Sequence, residues 1–172
     1  PIYLEDLVCR PKHSLVRQSL RAIEAKMVTN GDGFGVGWYG ERDTPGLYRE
    51  VTPAWSDENL LALAAHVRSH LFFAHVRAAT GGGIALSNCH PFASGAFMFM
   101  HNGQIGGFAQ LRRELEGELP DPLWHQRKGA TDSELIFLLI VQRLVDGYGM
   151  VEATSEVLGE VSVRMRQAGI DA

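Results

Sequence analysis

The period of the hydrophobic positions changes several times along this chain. After Ser14, the residues Leu15, Leu20, Ile23 and Met27 recur among Arg, Glu and Lys at helical spacing, which predicts an amphipathic helix capped by that serine. Asn30-Gly31-Asp32-Gly33 then supplies turn chemistry, and Phe34-Gly-Val36-Gly-Trp38 alternates large and absent side chains as a strand does. After an Asp43-Thr-Pro-Gly46 turn, Leu47 to Thr52 fits the second strand of a hairpin. Ser56 or Asp57 can cap a helix running to about Val67, with Leu60, Leu61, Leu63, Ala64 and Val67 as its apolar stripe. His70 to Arg77 and Ala96 to Met100 read as strands, and Phe108 to Leu115 as a short helix. Thr131-Asp-Ser-Glu134 precedes an apolar run to Leu144, which is a helix start, and Met150 to about Gln167 is helical again.

Strands cluster in the middle, and helices lie between and after them without regular βαβ alternation. This pattern favours an α+β fold with antiparallel sheets over a doubly wound one. Neither a repeat nor a linker interrupts the 172 residues, so a single domain is expected over 1–172.

Composition narrows the function classes. With 45% hydrophobic and 21% charged residues the chain is globular rather than disordered. A net charge of −4 gives no electrostatic reason to expect nucleic acid or an anionic membrane as partner. The apolar run Leu135 to Val141 is far shorter than the roughly 20 residues of a spanning helix. Cys9 and Cys89 are far apart and form no C-x-x-C pair, which points to a reducing, cytoplasmic setting without disulfides.

Several motifs carry candidate chemistry. Gly35-Val-Gly37-Trp-Tyr-Gly40 matches G-x-G-x-x-G, yet a turn rather than a helix follows it, so glycines that let another backbone or a ligand pack closely on a strand are expected instead of a nucleotide site. His75-Val-Arg77-Ala-Ala-Thr80 delivers an arginine to a glycine-rich loop, where its planar fork suits an amino-acid carboxylate; a surface ion pair is the simpler reading. The side chain of Asn102 and the backbone N–H of Gly103, at a strand end, can aim two donors at one developing oxyanion, or can form an ordinary turn. Asp132 can bind an ammonium or merely cap its helix. His75, His90 and His101 with Asp132 lack any recognised metal-ligand spacing, so neither a metal nor another cofactor is expected. A Cys89/His90 dyad is disfavoured because neighbours on a strand point to opposite faces.

Together, Asn30 to Tyr39, His75 to Thr80, Asn88-Cys-His-Pro-Phe92, His101-Asn-Gly103 and Thr131-Asp-Ser-Glu134 resemble, in order, the class II glutamine amidotransferases, in particular their stand-alone bacterial members. The resemblance covers the chain from Pro1 to about Gln142. It implies a four-layer αββα N-terminal-nucleophile hydrolase fold, with two stacked antiparallel sheets between helical layers. It also implies that Arg77 holds the glutamine α-carboxylate, Asp132 receives the α-ammonium, Asn102 and Gly103 form the oxyanion hole, and Thr80 lies near the substrate. Gly31 to Gly35 matches the glycine-rich segment beside the active site.

The family's nucleophile is an N-terminal cysteine whose own α-amine is the general base. The sequence here begins at Pro1, and Cys9 aligns with a later, non-catalytic part of the pattern. By extrapolation from that pattern, about ten residues are expected before Pro1 in the native chain, and the C-terminal limit is left open. The implied reaction is hydrolysis of the side-chain amide of glutamine or of a γ-glutamyl compound. A chain of this size implies either a separate ammonia-accepting synthase or independent amidohydrolase action. The alternative is a non-catalytic binder of γ-glutamyl compounds on the same scaffold.

Overall fold

The computed structural model describes residues 1–22, 29–79 and 83–170. They fall into two compact units, Pro1–Met100 and His101–Ala172. In the first, the order is β1 (Ile2–Tyr3), α1 (Glu5–Val8), α2 (Leu15–Leu20), β2 (Phe34–Trp38), β3 (Gly46–Glu50), α3 (Glu58–His66), β4 (Arg68–Ser69), β5 (Phe72–Val76), β6 (Phe92–Ser94) and β7 (Phe97–Phe99). All strand pairs are antiparallel: β1 with β4, β6 with β7, and β2 between β3 and β5.

The alternation of β2 explains its central place. Phe34 and Val36 are each 1% exposed and join Leu4, Val8, Leu60 and Ala64 in one core cluster. The glycines between them occupy the opposite face, because successive strand residues point to opposite sides. A Cβ on Gly35 would lie 2.1 Å from the His90 carbonyl oxygen, and one on Gly37 would lie 2.5 Å from Met98 Sδ and 2.7 Å from Pro91. The bare face of β2 therefore admits the segment from His90 to Met98. This is the close-packing role expected for these glycines, and β3, not a helix, follows them.

The hairpin, α3 and β5 lie within a residue or two of their expected limits. In α3 the buried stripe is narrower than expected: Leu60 and Ala64 are buried, whereas Leu61 is 46% exposed. The α2 helix is capped by Ser14 as expected, but it ends at Leu20. Arg21 turns to extended backbone, and the Ser19 carbonyl accepts the Asn30 N–H at 2.8 Å, so that carbonyl leaves the helical ladder for the approaching β2 segment. Ile23 and Met27, expected on the same stripe, lie outside the described residues.

Asp57 is the cap of α3. Its carboxylate accepts the Leu60 N–H at 2.6 Å and the Tyr48 hydroxyl at 3.0 Å, tying the helix to β3. Burial first, and then this hydrogen bond to Asp57, push the Tyr48 phenol above its ordinary pKa. Asp57→Ala removes the cap and the charged acceptor together. Urea unfolding is expected to show a loss of about 2 kcal/mol, and Asp57→Asn a smaller one.

The second unit contains α4 (Phe108–Glu116), α5 (Asp121–Trp124), α6 (Asp132–Val145) and α7 (Met150–Gln167). Residues 133–141 of α6 are buried without a break, as befits a helix apolar on every side. Against it α7 lays Ala153, Val157, Val161 and Met165, spaced at four-residue steps. Arg143 of α6 reaches Glu156 and Glu160, and Arg164 reaches Glu114 and Glu118, so ion pairs fasten α7 to α6 and α4. Among the described residues no helix is long and apolar enough to cross a membrane.

Candidate functional site

The start of α6 organises the second unit's part of the site. Thr131, not Asp132, is the cap: its hydroxyl accepts the Glu134 N–H. Asp132 is thereby released from the simple capping role that sequence left open. One of its oxygens accepts the Ile105 N–H at 2.6 Å, and the other accepts the Ser133 N–H at 2.8 Å. Glu134 sits where a capping box would return its carboxylate to the cap. It accepts the Lys128 and Gly129 N–H groups instead, holding the loop before the helix.

The segment His101 to Ile105 has no regular structure, and it is anchored to the first turn of α6 at two points. Ile105 binds Asp132, and His101 Nδ1 lies 3.1 Å from Ser133 Oγ. The His101 ring also folds over Gly103, where an added Cβ would be 2.5 Å from Nε2. Asn102 and Gly103, both exposed, lie between the two anchors. The structure thus brings Asn102, Gly103 and Asp132 to one loop–helix junction. Sequence reasoning missed the anchoring roles of His101 and Ser133. Their places in the His-Asn-Gly and Thr-Asp-Ser-Glu motifs were the only available signal, because neither spacing nor periodicity pairs them.

Arg77 belongs to the first unit, just beyond β5. It is 6% exposed, which argues against the surface ion pair considered from sequence. Its backbone is clamped by the turn before β2: the Arg77 N–H donates to the Gly33 carbonyl at 2.8 Å, and its own carbonyl accepts the Asp32 N–H at 3.0 Å. The Asp32 carboxylate accepts the Ala79 N–H at 2.8 Å, so the glycine-rich segment positions the strand-to-loop exit of the arginine. Thr80 lies outside the described residues.

Cys89 is fully buried, with its thiol 3.5 Å from the Glu50 carbonyl oxygen. Burial pushes its pKa up, partly opposed by Arg77 and Arg49, so it is held as an inert thiol rather than as a nucleophile. Burial, with a smaller effect from Glu5, does the same to Cys9. The His90 ring packs on His75, with centroids 4.4 Å apart, and on Phe92. With His101 turned to Ser133, these histidines have packing and hydrogen-bonding roles. Among the described residues no group of three or more His, Cys, Asp or Glu is placed to hold a metal ion.

The model of the family "Glutamine amidotransferases class-II" matches residues 11–171. "Probable glutamine amidotransferase DUG3" of Saccharomyces cerevisiae is 41% identical over 152 residues, covering 84% of this chain and 43% of the yeast protein. "Gamma-glutamyl-hercynylcysteine sulfoxide hydrolase" of Mycolicibacterium smegmatis is 31% identical over 168 residues, covering 96% of this chain and 68% of the other. A solved glutamine aminotransferase class-II domain protein from Silicibacter pomeroyi superposes with a TM-score of 0.68 at 43% identity, over 79% of this chain and 58% of that one. The chain therefore spans about half the length of the yeast protein and of the solved one, and it shares the mixed α+β fold of the latter.

Proposed function

Because this chain belongs to the class II glutamine amidotransferases, we propose that it hydrolyses the side-chain amide of glutamine or of a γ-glutamyl compound through a cysteine acyl-enzyme. The observation that supports the reading is the anchoring of the His101–Ile105 segment to α6, which ties the backbone on either side of Asn102 and Gly103 to Asp132 and Ser133. In this reading a cysteine at the native N-terminus is the nucleophile and its α-amine takes the thiol proton. The thiolate attacks the amide carbon, and the Asn102 side chain and Gly103 N–H hold the resulting oxyanion. The C–N bond then breaks and the leaving nitrogen receives the proton held by the α-amine, giving ammonia or an amine. Water attacks the thioester, releases the γ-carboxylate and regenerates the thiol.

In the same reading Arg77 and Asp132 hold the α-carboxylate and α-ammonium, and Thr80 is a further substrate-binding residue. Fixing both ends of the amino-acid moiety orients the amide for attack. Asp132 already accepts two backbone N–H groups, so its carboxylate is pre-oriented before substrate arrives. Cytoplasm suits this chemistry, because a catalytic thiolate and free cysteines at positions 9 and 89 persist in a reducing compartment. The names of similar proteins include both a glutamine amidotransferase and a γ-glutamyl hydrolase. Both transfer of the ammonia to a separate synthase and independent action on γ-glutamyl compounds fit this reading.

A glutaminase assay beside a panel of γ-glutamyl amides and peptides, on protein of native length, tests the reading. Release of glutamate with labelling of the N-terminal cysteine by a thiol-reactive glutamine analogue supports it; binding without turnover or labelling would leave a binding protein. Arg77→Lys keeps the charge but loses the planar fork. It is expected to raise KM for glutamine about tenfold, corresponding to roughly 1.4 kcal/mol, with kcat changed much less. An unchanged KM would remove Arg77 from carboxylate binding.

A further inference from the structure

A cavity of about 530 Å3 opens within the second unit, between α4, α5 and the loop that follows them. This is within the size range of small-molecule sites. We propose that it binds a small organic anion in which a carboxylate or phosphate is attached to a flat aromatic ring, a site separate from the amide-hydrolysing residues. Its lining includes the cations Arg112, Arg127 and Lys128 against a single carboxylate, that of Glu116. Arg112 Nε, at 2.6 Å, and Arg127 both bind the same Glu116 oxygen, so one acid is shared by two guanidinium groups. Glu134, behind the loop, is committed to the Lys128 and Gly129 backbone N–H groups.

Arg127 is held by Glu116 and by the Thr131 carbonyl, which accepts a hydrogen bond from its Nη2 at 3.3 Å. The Arg127 side chain is only 7% exposed, and its buried Nε has no hydrogen-bond partner. Burial, and then the neighbouring Arg112, lower the Arg127 pKa, partly opposed by Glu134, as befits a cation held where solvation is poor and a like charge is close. An entering carboxylate or phosphate supplies negative charge beside three cations that have one lining carboxylate between them, and guanidinium groups are suited to bind either. The aromatic requirement comes from Trp124. It is 51% exposed although it lines a cavity, and the His125 ring lies edge-on to it with centroids 5.2 Å apart. A flat ring can stack on so exposed an indole while its acidic group reaches the cations.

Phenyl phosphate and benzoate are the probes, titrated calorimetrically into protein of native length with and without saturating glutamate. Inorganic phosphate and phenol serve as charge-only and ring-only controls. The expected result is saturable one-to-one binding of at least one ring-bearing anion, tighter than either control and unaffected by glutamate. Lys128→Ala should weaken it about fivefold, and Trp124→Ala about tenfold, toward the affinity of the charge-only control. Both side chains are exposed, so neither change threatens the fold. Preference for phenyl phosphate identifies a phosphate ligand, and preference for benzoate a carboxylate. Lack of saturable binding by both probes, displacement by glutamate, or full affinity retained in both variants would each overturn the proposal.

Discussion

Asn102→Ala is expected to lower kcat for glutamine hydrolysis by about 10²–10³, or roughly 2.7–4 kcal/mol of transition-state stabilisation. Glutamine affinity should change little, because in the proposed mechanism the Asn102 amide meets full negative charge only after the thiolate has attacked. The size of the effect follows from pre-organisation. Asn102 lies between two anchors, His101 on Ser133 and Ile105 on Asp132, so the backbone that carries its donor is held when charge develops. Asn102 is exposed, and its truncation should leave the unfolding midpoint within the range of ordinary surface changes. Steady-state kinetics alongside calorimetric glutamine binding separates the outcomes. Unchanged turnover would exclude Asn102 from the oxyanion hole, whereas a parallel loss of binding would make it a substrate-holding residue.

Gly35→Ala should produce the largest loss of stability of any single methyl addition in β2. The added Cβ would lie 2.1 Å from the His90 carbonyl oxygen and 2.7 Å from Arg49 Cγ. An arginine side chain can move aside, but backbone cannot do so cheaply. β2 is hydrogen-bonded on both edges, so it cannot shift away without breaking a ladder. Overpacking typically costs 1–3 kcal/mol, and the contact with backbone places this substitution at about 3 kcal/mol or more. That is a large fraction of the roughly 5–15 kcal/mol of a typical domain. Gly40→Ala is the control: nothing lies within 4 Å of its added Cβ, and it should be nearly neutral. Urea midpoints for the pair that differ by less than the error of the fit would show that the two chain segments separate more easily than their packing implies.

Much of the local architecture was legible without coordinates. The Ser14 cap, the start of α6, the β2–β3 hairpin and α7 each depend on signals contained within a few neighbouring residues. Gly35 and Gly37 could be assigned to close packing because a turn follows them, although the chain that packs there, from His90 to Met98, could not be named. The end of α2 was misjudged because the event that stops it, capture of the Ser19 carbonyl by Asn30, is invisible to a count of apolar positions. Asp132 was left between two roles for a similar reason. A helix start signals that some residue caps, and only the geometry distinguishes the Thr131 hydroxyl from the neighbouring carboxylate.

The sequence by itself determined the family, the α+β class and the residue types available for chemistry, because periodicity, caps and ordered motifs are short-range properties written in consecutive residues. Tertiary structure decided how those residues are held. Ile105 meets Asp132 across 27 positions and Ala79 meets Asp32 across 47. It also placed Arg112 and Arg127 on one Glu116 oxygen beside an exposed tryptophan. Contacts of this kind depend on the path of the folded chain. No local preference of the backbone or spacing of side chains encodes that path.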